Sequence, residues 1–233
     1  MTDFTIEFLQ AVNDWQRGGN HHQKIKRGKK LKELAESLPQ KFRSCSTICY
    51  RQEAHEKDRI WKILADESLP ETVAAWTTHL SVAQSFKNGV PPQGLQGVIF
   101  GLTPPPESVV INLVEIYRDR GFTAAVDLHR SEITGFDKGI GRYGDTQQEV
   151  VLELHNIGRE TIYQYGGFAS DKEKLAEMYF GHKPNAEELD YFEELCRQAN
   201  IPENGEWWLS PDGTMSLLKR MAPKIEELRR LKS

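Results

Sequence analysis

The sequence has few cysteines and no long apolar run, and each lack excludes a class of protein. Cys45, Cys49 and Cys196 are an odd number with no CxxC pair, so neither a disulfide framework nor a zinc ribbon is indicated. No apolar stretch approaches the roughly 20 residues that a membrane-spanning helix needs. The first residues include acids where a secretory signal needs positive charge. We therefore expect a protein of the reducing cytoplasm with no membrane partner.

An overall excess of positive charge is also missing. The formal net charge is -4, which excludes a chain that coats nucleic acid along its whole surface. Basic residues concentrate in one place, where six Lys or Arg fall between Lys24 and Lys32 while Leu31, Leu34 and Leu38 keep helical spacing. The pattern predicts a basic amphipathic helix. Its charged face is either solvated or a phosphate-binding patch.

The 233 residues, 38% of them hydrophobic, can bury one sizeable core. Hydrophobic periodicity changes twice along the chain and predicts three segments. Residues 1–40 are helical and carry the basic patch, residues 41–168 form a β-rich core, and residues 169–233 form a C-terminal helical extension. This order predicts an α+β fold.

Within the core, alternating or continuous apolar patterns predict four strands. They lie in the segments "FRSCSTICYRQ" (42–52), "GLQGVIFGL" (94–102), "SVVINL" (108–113) and "TQQEVVLEL" (146–154). A short helix, "SVAQSFKNG", is expected to end at Gly89. The apolar run of the third strand predicts burial on both of its faces.

Polar residues at three predicted strand ends form an ordered set. Arg51 lies in "CYRQ", Trp76, Thr77 and Thr78 lie in "AAWTTHLSVAQSF", and Gln147 and Glu149 open "TQQEVVLEL". In this order the chain resembles the ADP-ribosyltransferase family over roughly residues 42–157. That family carries an aromatic-Arg pair, a Ser-Thr-Ser-like motif that leads into a helix, and a later Gln-x-Glu or Glu-x-Glu pair. The middle motif departs from the family pattern because its leading serine is missing.

The resemblance implies a fold and a co-substrate. The fold would be an ADP-ribosyltransferase-like core of two packed β-sheets, flanked by N-terminal and C-terminal helices. Enzymes of this kind bind NAD, break the bond between nicotinamide and ribose, and pass ADP-ribose to an acceptor. The scattered histidines lack the spacing of metal ligands, so no metal is expected.

The resemblance also assigns roles to residues. Glu149 is the candidate catalytic carboxylate, since bond breaking leaves an oxocarbenium-like ribose that a nearby negative charge stabilises. Arg51 would bind the phosphates of NAD with its planar fork, or else pair with Glu53. Thr77 or Thr78 would orient these groups.

Three aromatic or amide side chains complete the predicted site. Trp76 either flanks nicotinamide or lies in the core. Gln147 would face the acceptor in the catalytic site, and Tyr143 either stacks on an acceptor base or packs on the surface. An amide donates and accepts at once, which suits a nucleic-acid base or a protein Asn or Gln and disfavours Arg. The basic segment tilts the expectation slightly toward nucleic acid.

Two other functions stay open at this stage. The same site could pass ADP-ribose to water, which makes the protein an NAD glycohydrolase. Alternatively the protein is a non-catalytic helical module that binds nucleic acid or an acidic protein through residues 24–32. By analogy, the transferase would act as an intracellular toxin, a phage-defence effector or a phage-encoded modifier, with an inhibitor or antitoxin protein as a further partner.

Overall fold

The computed structural model describes residues 4–56, 59–60, 63, 72–86, 95–155, 157–168, 172–198 and 208–230. These residues form a mixed structure of helices and six strands, and every strand pairing recorded among them is antiparallel. The predicted α+β class is confirmed. Among the described residues, no helix combines the length and apolar character needed to cross a bilayer.

Helices open and close the described part of the chain, and the strands are interleaved with further helices between them. The helices are α1 (Ile6–Gln16), α2 (His21–Ala35), α3 (Leu80–Ser85), α4 (Leu113–Arg118), α5 (Arg120–His129), α6 (Ile140–Tyr143), α7 (Lys172–Phe180), α8 (Ala186–Gln198) and α9 (Pro211–Arg230). The strands are β1 (Cys49–His55), β2 (Val73–Thr77), β3 (Gln96–Leu102), β4 (Val109–Asn112), β5 (Glu149–Glu153) and β6 (Ile162–Phe168).

The chain divides into two compact units that interleave along the sequence. The first contains Met1–Tyr50, Ser68–Val82 and Leu102–Asn156, and the second contains Arg51–Glu67, Ala83–Gly101 and Ile157–Ser233. The three segments predicted from the sequence are consecutive instead. The N-terminal helices belong to the same unit as β2, β4 and β5 because their apolar faces share its core.

Helices α1 and α2 open the first unit, as the periodicity predicts. Thr5 caps α1 by accepting a hydrogen bond from the backbone N–H of Phe8, and Asn20 and Gln23 form a capping box at the start of α2. Helix α2 runs unbroken through Gly28, which is buried. A Cβ there would lie 3.1 Å from both Trp15 Cζ3 and Val73 Cγ1, so the glycine permits close packing.

The strands of the first unit are centred on β5, which pairs with β2 on one side and β4 on the other. The β2–β5 register places Thr77 opposite Glu149 and Val73 opposite Glu153. Every residue of β4 is buried, as its apolar run predicts. At its beginning β1 joins the same group of strands, because Tyr50 pairs with Thr77.

The core of the first unit lies between these strands and helices α1, α2, α4 and α5. Its centre is aromatic, with edge-to-face contacts between Phe4 and Phe122 and between Tyr117 and Phe122. The buried apolar residues of this cluster are Phe4, Phe8, Leu9, Ala11, Val12, Leu31, Ala35, Phe42, Val110, Ile111, Leu113, Ile116, Phe122, Val126, Ile133, Ile140 and Val151.

The second unit is built on the antiparallel pair β3–β6, with α9 packed against β6. Glycine is required at position 97 of this pairing, because a Cβ on Gly97 would lie 2.6 Å from the carbonyl oxygen of Gly166. Trp208 forms an isolated β-bridge with Gly166, and its indole N–H donates to the carbonyl oxygen of Gln84 at 3.2 Å. These contacts connect the segment before α9 to the strand pair.

One predicted element differs from the structure, and the predicted end of another lies outside the described residues. The strand expected over 42–52 begins only at Cys49, because Phe42 enters the core at the end of a 3₁₀ turn, Gln40–Phe42. Just beyond it, the side chain of Asn112 binds the carbonyl oxygen of Ser44. The helix expected to end at Gly89 forms as α3, but Gly89 itself lies outside the described residues.

Candidate functional site

Three strands of the first unit bring residues of the three predicted motif segments into one row. Tyr50 of β1 pairs with Thr77 of β2, and Thr77 pairs with Glu149 of β5. Residues directly opposite each other in an antiparallel pair have their side chains on the same face. The row therefore places Thr77 and Glu149 side by side on one face, with Tyr50 beyond Thr77.

Glu149 is a buried carboxyl group held by a tryptophan. The residue is 5% exposed, and the Nε1–H of Trp15 in α1 donates to its Oε1 at 2.5 Å. Burial raises the pKa of Glu149 to about 7, although the hydrogen bond from Trp15 acts in the opposite direction. A carboxyl group with this pKa changes charge near neutral pH, which is a property suited to acid-base or electrostatic catalysis.

Two further side chains connect the end of α1 to α4 and to the turn that precedes β5. Tyr117 donates from its hydroxyl to Oε1 of Gln16 at 2.8 Å, and Gln16 donates from Nε2 to the carbonyl oxygen of Gly144 at 2.8 Å. Burial and the negative charge of Glu149 both raise the pKa of Tyr117, so this phenol keeps its proton. The network fixes the turn that leads into β5.

That turn has an unusual backbone just before Glu149. Gly144 and Gln148 both have positive φ values, 48° and 45°, and among the described residues Gln148 is the non-glycine residue with this conformation. Its Nε2 donates to the carbonyl oxygen of Asp145 at 2.8 Å. The carbonyl oxygen of Gln148 in turn accepts from the backbone N–H of Thr78 at 3.0 Å. With this backbone conformation at Gly144 and Gln148, the first residue of β5, Glu149, points into the protein.

The predicted middle motif divides between two faces of β2. The hydroxyl of Thr77 accepts from the backbone N–H of His79 at 3.1 Å, and the hydroxyl of Thr78 lies 3.4 Å from the carbonyl oxygen of Gln148. Trp76 is 2% exposed and pairs with Val150, so alternation places it on the face opposite to Thr77 and Glu149. Its indole N–H has no hydrogen-bond partner among the described residues.

The predicted acceptor residues lie on the turn before Glu149. Gln147 and Tyr143 are both half-buried. The guanidinium of Arg142 lies 5.2 Å from the ring centroid of Tyr143, a cation–π distance. Both side chains are thus accessible from solvent on the same turn.

Arg51 belongs to the second unit, where it pairs with an acid. Its Nε lies 2.6 Å from Oε1 of Glu53, and Nε2 of His55 lies 2.7 Å from the other carboxylate oxygen. Burial alone would raise the pKa of Glu53, but the hydrogen bond from His55 and the charge of Arg51 outweigh it and hold that pKa down at about 2. The ion pair between Arg51 and Glu53, which the sequence left as an alternative, is therefore present.

Two other kinds of possible site are a surface depression and a metal site. A surface depression of the first unit is lined by residues between Asp127 and Lys138, and its lining includes none of the residues predicted to bind NAD or an acceptor. Within the part of the chain that the structure describes, no three His, Cys, Asp or Glu side chains are grouped as metal ligands would be.

The sequence did not predict that residues of α1 and α4 belong to the site. Trp15 ends the apolar stripe of α1, and this position predicted only a core residue. Gln16 and Tyr117 have no sequence motif. The sequence has no signal that identifies them, because the burial of polar residues such as Asn13 and Gln16 on α1 is seen only in the structure.

No protein-family model, curated protein or solved structure matches this chain.

Proposed function

We propose that the protein is an NAD-dependent mono-ADP-ribosyltransferase that modifies a macromolecule. The row from Tyr50 through Thr77 to Glu149 is the observation that carries the proposal. It joins the three motif segments that resemble this family, although they are far apart in the sequence. The finer fold, an ADP-ribosyltransferase-like core, is part of the same proposal.

Glu149 supplies the central chemistry in this proposal. The bond between nicotinamide and ribose breaks with its electron pair leaving on nicotinamide, and the positive charge that develops on the ribose is stabilised by the Glu149 carboxylate. Trp15 holds Oε1, which leaves Oε2 to accept a hydrogen bond from a ribose hydroxyl. A nucleophile on the acceptor then forms a new bond to the ribose carbon.

The remaining predicted roles rest on side chains with more than one function. Arg51 binds the phosphates of NAD in this proposal, since a planar guanidinium can bind two phosphate oxygens at once. Thr77 and Thr78 orient the end of β2 beside Glu149 through their hydrogen bonds to His79 and Gln148. Trp76 supports the end of β2 by packing on the opposite face of the strand from Thr77.

Gln147 and Tyr143 select the acceptor. Both are half-buried on the turn that precedes Glu149, so an acceptor that meets them lies beside the ribose. The amide can pair with the edge of a base, and the phenol ring can stack on it. These properties favour a nucleic-acid base over a protein Asn or Gln, and they disfavour Arg. An intracellular toxin or phage-defence effector is the role that fits this chemistry.

Transfer of label from NAD tests the proposal. Wild-type protein is incubated with NAD labelled in its adenylate part and with cell extract, next to Glu149→Gln and Glu153→Gln. Glu153 is the matched control because it lies on the same strand and its carboxylate pairs with Lys32 at 2.6 Å. We expect Glu149→Gln to lower turnover by on the order of 10² to 10³, as removal of a transition-state charge does, and Glu153→Gln to have little effect.

The fate of the label separates the alternatives. Nuclease-sensitive label on macromolecules supports the favoured acceptor, and protease-sensitive label supports a protein acceptor. Free ADP-ribose without labelled macromolecules would show an NAD glycohydrolase. If wild-type protein consumes no NAD in any extract, the enzymatic proposal is wrong.

A second candidate function rests on the basic face of α2. Lys24, Lys26 and Lys29 are exposed, and no acidic partner is recorded for them among the described residues. By contrast, Lys30 pairs with Glu7 and Lys32 with Glu153. A non-catalytic module that binds a polyanion would use the three exposed lysines. It predicts salt-dependent binding to nucleic acid that persists in Glu149→Ala and disappears when the three lysines are replaced by Gln.

A further inference from the structure

Two cysteines of the first unit lie in contact at the start of β1. The Sγ atoms of Cys45 and Cys49 are 3.6 Å apart, and both thiols also lie near the carbonyl oxygen of Thr47, at 3.7 and 3.8 Å. Cys49 is fully buried, whereas Cys45 is partly exposed and has three exposed residues between it and Cys49. The thiol of Cys45 is therefore accessible to a reagent in solution, whereas the thiol of Cys49 is buried and in contact with it.

The surroundings of the two thiols shift their pKa values in opposite directions. The hydrogen bond from Cys49 lowers the pKa of Cys45 to about 6, and the hydroxyl of Thr47, 3.4 Å from its sulfur, acts in the same direction. Burial and the negative charge of Glu115 oppose this effect without cancelling it. The same hydrogen bond, together with burial, raises the pKa of the Cys49 thiol. These shifts favour loss of the proton from the accessible sulfur, and the thiolate is the nucleophilic form.

We propose that Cys45 and Cys49 form a reversible oxidation site, in which Cys45 reacts with a hydroperoxide and Cys49 resolves the product to an intramolecular disulfide. The proposal rests on the contact between the two sulfurs and on their unequal access to solvent. It does not depend on the proposed reaction with NAD.

The chemistry balances with hydrogen peroxide as oxidant. The Cys45 thiolate attacks one peroxide oxygen, so a sulfur–oxygen bond forms, the oxygen–oxygen bond breaks, and hydroxide leaves with the electron pair. Cys45 is then a sulfenic acid. The sulfur of Cys49 attacks the sulfur of Cys45, the sulfur–oxygen bond breaks, and the departing hydroxide takes the Cys49 proton to leave as water. A dithiol reverses the result by exchange and is itself oxidised.

Oxidation would change the backbone at a defined place. A disulfide bond is about 2.05 Å long, so the two sulfurs must approach by about 1.5 Å from their contact distance. Cys49 is the first residue of β1 and Tyr50 is held by Thr77, so the exposed turn of Ser46, Thr47 and Ile48 is the part that must adjust. The site therefore closes a small ring without unpairing β1.

Trypsin cleavage gives a direct test. Cleavage after Arg43 and Arg51 yields one peptide, Ser44 to Arg51, that contains both cysteines of the pair and excludes Cys196. The full chain is treated with hydrogen peroxide, and its remaining thiols are then alkylated under denaturing conditions. The protein is digested with trypsin, and the peptide masses are measured by mass spectrometry. We expect this peptide to lose two hydrogens and take up no reagent, and to take up two reagent molecules after treatment with a dithiol. Cys196 should stay alkylated throughout.

Variants make the roles of the two sulfurs distinguishable. Cys49→Ser should stop at a sulfenic acid on Cys45 that a cyclic diketone traps, and Cys45→Ser should leave the peptide unoxidised at the same peroxide concentration. Cys196→Ser is the matched control and should behave as wild type. If Cys45 in the folded wild-type chain reacts with peroxide no faster than Cys196, or if Cys49→Ser accumulates no trapped product, the proposal is wrong.

Discussion

The indole N–H of Trp15 donates to the carboxylate of Glu149 across a separation of 134 residues, at 2.5 Å. This hydrogen bond joins the last full turn of α1 to the first residue of β5, and it is the polar contact recorded for a carboxyl group that is 5% exposed. A hydrogen bond to a charged group contributes more than one between neutral groups. Trp15 therefore favours the ionised form of Glu149, against the larger and opposite effect of burial.

Trp15→Phe should raise the pKa of Glu149 above its value of about 7. The smaller phenyl ring keeps part of the apolar packing, but the donor that favours the charged form is gone, and we expect the pKa to rise by about one unit. The measurement is a pH titration of carboxyl carbons by NMR on protein labelled at glutamate, with Glu149→Gln to assign the signal. Trp208→Phe removes an indole donor in the second unit and should leave the Glu149 titration unchanged. An unchanged or lower pKa in Trp15→Phe would contradict this account.

Glu149→Gln should make the protein more stable at alkaline pH. The folded pKa of about 7 is above the ordinary 4.5, so the folded state binds the Glu149 proton more tightly than the unfolded state does. The stabilisation that this proton gives is complete below about pH 4 and is lost as pH rises through about 7. Glutamine stays neutral and loses nothing over the same range.

The expected gain for Glu149→Gln is up to about 3 kcal/mol in the free energy of unfolding at about pH 8, and close to zero at about pH 4. Urea unfolding at both pH values measures it. Glu153→Gln removes a carboxylate from the same strand, one that is paired with Lys32, and should give no such gain at the higher pH. Equal effects of the two substitutions would show that burial of Glu149 does not govern the pH dependence.

Turnover of NAD should depend on pH in the opposite sense to stability. The proposed reaction needs the Glu149 carboxylate, which loses its charge as pH falls through about 7. We expect the rate to fall about tenfold for each pH unit below that value and to reach a plateau above it. Trp15→Phe should move the midpoint upward together with the pKa seen by NMR. A rate that is independent of pH between about 5 and 9 would remove Glu149 from the chemistry.

The sequence predicted α1, β4 and β5 because their apolar residues recur locally at the period of a helix or a strand. The strand predicted from 42 began late, since the burial of Phe42 and the contact between Asn112 and Ser44 outweighed local β propensity. Strand β6 was missed. Its sequence "IYQYGGF" contains a buried Gln164 and two glycines, so apolar and polar residues do not alternate as they do in a typical strand.

The candidate site was predictable only in part. Short motifs located Thr77 and Glu149 at strand ends, and the register brings these two residues together. The helical stripe of α1 showed that Trp15 faces inward, but periodicity identifies a face of a helix and not the residue that it meets. The polar contact between Trp15 and Glu149 arises from the packing of α1 against β5, so it needed the structure.

Gln148 should be replaceable by glycine but not by a β-branched residue. Its φ of 45° lies in the left-handed region, which costs an ordinary side chain about 1 to 2 kcal/mol and costs glycine almost nothing. Gln148→Val should therefore unfold at a lower denaturant concentration than Gln148→Gly, by about that difference in free energy. Both variants lose the bond from Nε2 to the carbonyl oxygen of Asp145, so its loss cancels in the comparison. Gln147→Val and Gln147→Gly form the matched control pair one residue earlier, where no positive φ is recorded, and there valine should not be the less stable of the two. If valine and glycine are equally stable at 148, the left-handed turn does not hold β5 in place.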